Sequence, residues 1–321
     1  MMRGLVAMLR SPSPILLAYA SALLLFTLVS LYSPGFASPA HVITLLIVAA
    51  FTGIVALGQT MVIVGGGIDL SVPWVLNSAA ILVTAFAGGS DAALLWAVPL
   101  ILAGGGLIGA LNGAAIALLR IPPIVMTLST NVVLQGLLLI GTRGFPPPAA
   151  PAALQFLASG RIGPVPVILI FWLLLTVAVV VVERLTAFGR YLYAVGSNRT
   201  VAMFSGVPVA RTTITTYAIS GATAALAGIL LTGYSRQSYL GMGNPYLFTS
   251  IAAVAIGGAS ILGGTGSYLG TVAGALVLTI LSGLLPIFRL GNGALAVVYG
   301  LVILVTVSLA APPVRALFQR R

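Results

Sequence analysis

Long apolar runs alternate along the chain with short breaks that are rich in Gly, Pro or Arg. A helix needs ~20 apolar residues to cross a hydrocarbon core of ~30 Å, and uncharged runs of this length are typical of transmembrane helices. The pattern predicts an all-α integral membrane protein, a polytopic bundle of about ten transmembrane helices. The predicted spans are 14–32, 41–64, 71–88, 92–119, 123–141, 164–183, 211–233, 247–263, 268–288 and 294–311.

Two breaks consist of glycines rather than charged residues, at 65–67 and 263–264. Each is either a turn at the cytoplasmic face or an irregular segment inside the protein, and the pattern leaves both interpretations open. The glycines that we expect to break or pack helices in these regions are Gly66 and Gly67 at the first break, Gly263 and Gly264 at the second, and Gly257 and Gly258 shortly before it.

A second glycine pattern lies within one run, where Gly105, Gly109 and Gly113 recur at a spacing of four. This spacing puts all three on one helix face and lets a neighbouring backbone approach closely. The pattern predicts a helix packed inside the bundle and carries no information about a substrate.

Composition supports the bilayer as the solvent of most of the chain. Of 321 residues, 60% are hydrophobic and 5% are charged, with a mean hydropathy of +1.19. A soluble domain is ~25% charged. We expect a single transmembrane domain over 1–321, with no room for a separate soluble domain. We also expect the first helix to remain uncleaved, because the apolar run at 15–32 is longer than the usual core of a signal peptide.

The basic residues set the predicted orientation. All 14 basic residues are Arg, and ten of them fall on the inside if the first span starts in the cytoplasm. Cytoplasmic loops carry such an excess, so both termini are expected in the cytoplasm. The net charge of +11 then reflects loops facing anionic membrane lipid rather than nucleic acid.

Missing residue types exclude several kinds of chemistry. The chain has no Cys and one His, which excludes disulfides and a multi-histidine metal site. A P-loop needs a Lys to reach the phosphates, and the chain has none. We therefore expect neither an enzyme nor a bound metal or cofactor. If ATP drives the protein, ATP and Mg²⁺ bind to another polypeptide.

Two connections are long enough to have functions of their own. The outside one, about 142–163, is a Pro-rich outer loop. The inside one, about 184–210, is too apolar for a disordered tail and predicts a short helix that docks on a partner.

The three acidic residues differ in their expected roles. Asp91 is expected in a solvated outer loop, and Glu183 in an interfacial pair with Arg184. Asp69 lies between two spans and has two interpretations. It either caps the helix that Pro73 helps to start, or it is a buried group that binds substrate or relays a proton.

Polar residues within the apolar runs are candidates for a translocation path, and their alternative role is hydrogen bonding between helices. Aromatic residues form no evident cluster that would stack on a sugar ring, which suits a conduit fed by a separate receptor. With Asp69, the path candidates are Gln59, Ser71, Asn77, Asn112, Thr127 and Asn131.

Four sequence blocks together resemble a known family. They are GQTMVI with GGIDLSV at 58–72, RIPP with TL at 120–128, the segment at 186–207, and IGGASILGGTGS with GT at 256–271. All four, in this order, are similar to the ribose-type permeases of bacterial ABC sugar importers, which include ribose, galactose, xylose and autoinducer-2 permeases. The resemblance covers roughly residues 36–310.

The resemblance implies a multi-pass permease of the bacterial inner membrane that imports a monosaccharide. It implies an ABC ATPase subunit, a periplasmic sugar-binding protein, and a second permease copy or a related permease in a dimer. It also implies that the third block couples the permease to the ATPase, through Thr186, Gly189, Arg190, Tyr193, Gly196, Asn198, Ala202, Ser205 and Gly206.

Some positions depart from the family pattern. Leu247 and Thr249 stand where many members carry an acidic pair, Pro73 replaces a common Gly, and Met203 replaces a common basic residue. The alternative function is a proton-coupled secondary transporter or facilitator that uses Asp69 and needs no ATPase. An intramembrane enzyme is disfavoured, because the chain has neither a metal-ligand set nor an acid–base pair. The related branched-chain amino acid permeases are a third possibility, and the GGGIDLSV block favours the sugar permeases over them.

Overall fold

The computed structural model describes residues 13–142, 149–288 and 291–310. Helices account for nearly all of its regular structure. The first five are α1 (Pro14–Tyr32), α2 (Pro39–Val64), α3 (Val72–Ala87), α4 (Leu94–Leu118) and α5 (Pro123–Thr142), with a 3₁₀ turn at Pro34–Ala37. Prolines begin α1, α2 and α5, where the amide that proline lacks has no helical partner in any case.

The second part of the chain adds shorter elements at both ends of the bundle. A helix and a hairpin follow the first five helices: α6 (Ala152–Ser159), β1 (Arg161–Ile162) and β2 (Val165–Pro166). Then come α7 (Val167–Leu185), α8 (Ala187–Ser197), α9 (Arg199–Phe204), α10 (Val209–Ser235), α11 (Tyr246–Ile256), α12 (Tyr268–Ile287) and α13 (Asn292–Ala310). The two ends of the bundle are named below the α6 end and the α8–α9 end.

Seven helices of the described chain, α1, α2, α4, α5, α7, α10 and α12, are long and apolar enough to cross a membrane. Large apolar side chains project outward from them, for example Leu23 (68% exposed) on α1 and Leu95 (83% exposed) on α4. Such surfaces are stable against lipid tails and not against water. The prediction of a helical membrane protein is therefore confirmed.

The central helix α10 packs closely on α4 through glycines. The predicted glycine face of α4 lies against α10: a Cβ added at Gly105 would lie 2.7 Å from the Gly221 carbonyl oxygen, and one added at Gly113 would lie 2.7 Å from Ile214 Cα. Gly109 faces the backbone of Tyr217 in the same way. The two backbones are thus in direct contact, which only residues without a side chain permit.

The glycine-rich breaks are irregular loops that meet at the α8–α9 end. The Gly264 amide donates to the Val64 carbonyl (2.9 Å), and Gly263 lies against Gly66. Both of those glycines have a positive φ, +84° at Gly66 and +91° at Gly263, which favours glycine strongly. The span predicted over 247–263 is wrong in its second half, because α11 ends at Ile256 and an irregular loop follows.

The segment between α10 and α11 enters the bundle instead of staying at its surface. Ser238 pairs with Thr84 near the end of α3 (2.9 Å), and the Gly243 amide donates to Asn77 near the beginning of α3 (3.1 Å). Residues 238–243 therefore run beside α3 toward the α8–α9 end. Consequently α11 begins well inside the bundle, which the apolar pattern did not indicate.

Candidate functional site

Asp69 lies in the loop between α2 and α3 and is almost fully buried (1% exposed). One carboxylate oxygen accepts the Ser71 amide (2.9 Å) and the Ser71 hydroxyl (2.6 Å). The other accepts the Ser220 hydroxyl from α10 (2.7 Å). A buried carboxylate is tolerated only when donors surround it. The two bonds from Ser71 order the loop itself, and the bond from Ser220 ties the loop to the central helix.

Neighbouring polar side chains extend this group into a network. Asn112 of α4 donates to the Ser71 hydroxyl (3.1 Å) and accepts from Thr130 of α5 (2.6 Å). Thr127 of α5 accepts the Leu70 amide (3.0 Å). The network joins the Asp69 loop to three helices that are distant in sequence. It supplies the hydrogen-bond partners that polar groups of a loop need at a depth where water is scarce.

The helix start after Asp69 differs from the capping interpretation. Helix α3 begins at Val72 with Ser71 in the cap position, and no side chain caps its first amides. Asp69 lies two residues earlier and accepts the Ser71 amide, which is the geometry of an Asx turn. Asp69 therefore orders the loop before the helix, and Pro73 occupies the first turn.

The remaining path candidates lie apart from this network. Asn77 accepts the Gly243 amide, so it holds the segment that runs beside α3. Gln59 is fully buried in α2, and its amide group has no hydrogen-bond partner among the described residues. The same holds for the Asn131 side-chain oxygen on α5. These two side chains retain hydrogen-bonding capacity that the fold does not use.

Glu183 lies in the last turn of α7, and its carboxylate pairs with another helix instead of being exposed beside Arg184. It is buried (5% exposed), and both carboxylate oxygens accept the Tyr268 amide at the first turn of α12 (3.2 Å). The Tyr268 hydroxyl in turn donates to the Gly53 carbonyl (2.9 Å) and accepts from Trp172 (3.0 Å). Glu183 therefore fixes the start of α12, where a negative charge is favoured by the helix dipole.

Asp91 is exposed and accepts the Ala153 amide in the first turn of α6 (2.8 Å). This bond caps α6 with a residue from the loop between α3 and α4. Part of the Pro-rich loop at 142–163 is thereby ordered, while its residues 143–148 lie outside the described chain.

Residues 186–206 form two short helices, α8 and α9, each with its own cap. Thr186 accepts the Gly189 amide (3.2 Å), and Asn198 accepts the Val201 amide (3.0 Å). Gly189 lies against the Glu183 carbonyl, and Gly206 ends α9 with φ +80°. Ser205 is the C-cap of α9, Ala202 is buried, and Arg190 is exposed.

The inner face of α8 touches both glycine-rich loops. Gly196 packs against the Val64 carbonyl and the Gly264 amide, and the Tyr193 hydroxyl donates to the Gly266 carbonyl (2.9 Å). Burial, with Glu183 nearby, raises the pKa of Tyr193 to about 12, so this hydroxyl stays a donor at neutral pH. Any displacement of α8 must therefore move the two loops with it.

The outer face of α9 is apolar and uncovered. Val201 is 59% exposed, Met203 is 57% exposed and Phe204 is 81% exposed. Three adjoining apolar side chains on a short helix at one end of the bundle are typical of a contact with another protein.

Two cavities lie at opposite parts of the bundle. One, of about 570 Å³, lies at the α8–α9 end and is lined by Gly66, Arg120 and Arg199, among others. The other, of about 400 Å³, is a cleft between α2, the beginning of α11, α12 and α13. Tyr246, Phe248 and Tyr299 line this cleft, so the expectation that aromatic residues do not cluster is wrong at this place.

The acidic residues are dispersed. No group of three or more His, Cys, Asp or Glu that could hold a metal ion occurs in the described part of the chain. The polar features of the site are thus hydroxyl and amide groups, two buried carboxylates and arginines near one end.

Comparison with known proteins identifies the family. A permease family described as "Branched-chain amino acid transport system / permease component" matches residues 41–307. The ribose import permease protein RbsC of Bacillus subtilis is 35% identical over 290 residues, which is 89% of each chain. The autoinducer 2 import system permease protein LsrD of Photorhabdus temperata is 32% identical over 292 residues, 84% of each chain. No solved structure matches the chain.

These matches agree with the four sequence blocks and with the membrane-spanning helices of the fold. The chain belongs to the family of ABC permease subunits that includes the ribose-type sugar permeases, and it is a multi-pass protein of the inner membrane.

Proposed function

We propose that the chain is the membrane permease of an ATP-driven importer that carries a monosaccharide across the bacterial inner membrane. A separate ATPase subunit binds ATP and Mg²⁺ and docks at the α8–α9 end. A periplasmic sugar-binding protein delivers the substrate at the α6 end. The permease acts as a dimer, with a second copy or with a related chain.

The orientation follows from the arginines. Arg120, Arg184, Arg190, Arg199 and Arg211 flank helix ends at or beside α8 and α9, and Arg120 and Arg199 line one cavity there. An excess of Arg marks the cytoplasmic side. We therefore assign the α8–α9 end to the cytoplasm, with ten spans and both termini inside.

The observation that carries the proposal is the two-sided arrangement of α8 and α9. Their outer face presents Val201, Met203 and Phe204 to the surroundings, and their inner face holds the two glycine-rich loops through Gly196 and Tyr193. A partner that moves this helix pair would shift the loops that join α2 to α3 and α11 to α12. This is the mechanical link that an ATP-driven permease needs, and a transporter without a partner has no use for it.

Asp69 serves this mechanism as a positioning residue. Its bonds from Ser71 order the loop that α8 contacts, and its bond from Ser220 holds this loop to α10. The names of relatives that import ribose and autoinducer 2 support a small polar substrate, and a monosaccharide is the class that we infer.

Affinity purification of the tagged chain from its native membrane tests the proposal. We expect an ATPase to copurify with the wild-type chain. The variant Phe204→Asp should lose it, because a carboxylate would replace an apolar side chain at the centre of the docking face.

Phe156→Asp is the matched control, because Phe156 is also exposed (53%) but lies on α6 at the opposite end. It should retain the ATPase. If neither the wild-type chain nor this control brings down an ATPase under conditions that preserve known importer complexes, the proposal is wrong.

A further inference from the structure

The cleft of about 400 Å³ lies beside a non-helical part of the chain that is deep in the bundle. Ser238 contacts Thr84, and Gly243 lies against Pro73, so the segment descends ~16 Å along α3 at ~1.5 Å per residue. Beyond it, Asn244 and Pro245 are exposed, and Phe248 is 51% exposed.

A polar residue exposed at this depth restricts what can cover it. The backbone of Asn244 is paired, because its amide donates to Gly241 and its carbonyl accepts from Leu247. Asn244 also carries a side-chain amide on an exposed residue, and an amide placed against lipid tails without a partner would cost several kcal/mol. Non-helical segments of this kind occur at membrane depth where they are buried in protein or line a water-filled cavity. The face that carries Asn244 and Pro245 therefore adjoins an aqueous path or a second permease chain, and the cleft opens on this face.

The lining of the cleft is polar but uncharged. It includes the hydroxyl groups of Thr52, Thr249, Ser282 and Tyr299 and the amide of Asn244, and no charged side chain lies among the described residues around it. The Thr249 and Ser282 hydroxyls donate to carbonyls at or in their own helices, so they offer a ligand acceptors. Hydroxyl groups donate and accept hydrogen bonds, so they complement a ligand that is itself covered with hydroxyls. The rings of Tyr246 and Phe248 add apolar faces that suit the C–H surface of a sugar ring.

The same lining disfavours a zwitterion such as an amino acid. Burying its ammonium and carboxylate groups would require opposite charges beside them. The beginning of α11 offers little for a carboxylate, because the Tyr246 and Leu247 amides already donate to the carbonyls of Gly243 and Asn244. The volume of the cleft falls within the ~300–1,000 Å³ range of small-molecule sites.

We infer that this cleft is a binding subsite for a neutral, polyhydroxylated substrate on the translocation path, and that Thr52 and Tyr299 contribute to its specificity. This inference rests on the proposed function and assigns a location to its substrate. Tyr299 is nearly buried and its hydroxyl pairs with Ser282 (3.2 Å), which orients it at the wall of the cleft.

The first experiment asks whether the cleft is aqueous, and it uses the absence of cysteine from the chain. Single variants Asn244→Cys and Ala296→Cys are assembled with the partner subunits in membranes and treated with a charged, membrane-impermeant thiol reagent. The control Leu107→Cys lies on α4, where the side chain is 61% exposed on an apolar surface. Both cleft variants should be labelled at least about tenfold faster than the control. Equal rates would overturn the inference.

The second experiment asks whether the cleft recognises the substrate. The double variant Thr52→Val/Tyr299→Phe removes two hydroxyls with little change in volume. Each lost hydrogen bond should lower kcat/KM for ATP-driven uptake by about threefold to tenfold. The control Tyr32→Phe/Thr279→Val makes the same changes outside the cleft and should leave uptake unaltered. Ribose, galactose and xylose serve as the substrate panel, with leucine as the zwitterionic comparison.

The outcomes separate this inference from the proposed function. If an ATPase copurifies and a monosaccharide is taken up, but the double variant behaves like its control, the subsite inference fails and the proposed function stands. If leucine is taken up and none of the sugars is, both fail. Loss of sugar uptake with retained ATPase binding in the double variant alone supports the subsite.

Discussion

The contact between α4 and α10 makes a quantitative prediction for two adjacent glycines of α4. A Cβ added at Gly105 would lie 2.7 Å from the Gly221 carbonyl oxygen and 2.7 Å from Ala225 Cβ, whereas one added at Gly104 would meet nothing within 4 Å. The ordinary minimum for such contacts is 3.4 Å, so Gly105→Ala requires the helices to separate by about 0.7 Å. Gly104→Ala requires no movement and is the matched control.

The difference between the two variants isolates the packing cost. Both gain the same preference of Ala over Gly in a helix, ~0.5–1 kcal/mol. Only Gly105→Ala pushes packed backbones apart, which costs typically ~1–3 kcal/mol. We therefore expect Gly105→Ala to be less stable than Gly104→Ala by ~1–3 kcal/mol.

The same displacement should also disturb the Asp69 network, which bridges these helices. Asn112 of α4 donates to Ser71 at 3.1 Å. A separation of about 0.7 Å would lengthen this bond to as much as about 3.8 Å, beyond a useful hydrogen bond. Uptake by Gly105→Ala should therefore fall while ATPase copurification is retained, because the docking face of α9 is remote from the change.

Thermal unfolding of the purified variants, followed by the fluorescence of the three Trp residues, measures the stability difference. Uptake into cells or vesicles measures the functional effect. The reasoning would be refuted if the two variants had equal unfolding midpoints and equal uptake rates, because the backbone contact would then not constrain the helices.

Two further predictions concern the loops at the cytoplasmic end. Asp69→Asn should destabilise the chain by ~1–3 kcal/mol, because an amide nitrogen, which donates, replaces one buried oxygen that accepts from a serine. Uptake by this variant should fall by the same factor at all pH values near neutrality. A change in the pH dependence of uptake, without loss of stability, would instead favour proton coupling through Asp69. Tyr193→Phe removes the hydrogen bond to the Gly266 carbonyl. We expect the ATPase to remain bound to this variant, while the amount of substrate taken up per ATP hydrolysed decreases. An unchanged amount of substrate per ATP would contradict the coupling role of this contact.

Local sequence signals were sufficient for much of the helical framework. The apolar runs predict the positions of α1, α2 and α5, each of which begins at a proline in the structure, and the glycines of α4 share one face because helical geometry repeats every 3.6 residues. Thr186 and Asn198 are typical capping residues, so the start of each short helix at 186–206 is encoded within a few positions.

Contacts between distant residues were not accessible to the same reasoning. Glu183 is next to Arg184 in sequence, which favoured a surface pair, but its carboxylate accepts the amide of Tyr268 from another helix. Asp69 was recognised as unusual, yet its bond to Ser220 depends on how α10 crosses the loop. A hydrogen-bond partner far along the chain leaves no periodic trace in the sequence.

The sequence by itself determined that this protein is a helical permease of the membrane. The length of an apolar run and the charges beside it are local properties, and the four blocks are strings of neighbouring residues. Only the tertiary structure decided that residues 238–245 enter the bundle and that Thr52, Tyr246 and Tyr299 share a cleft. The physical reason is that a polar loop has the same composition at the surface and at depth. Its position depends on the groups that pair with it, here the side chains of Thr84 and Asn77 on α3.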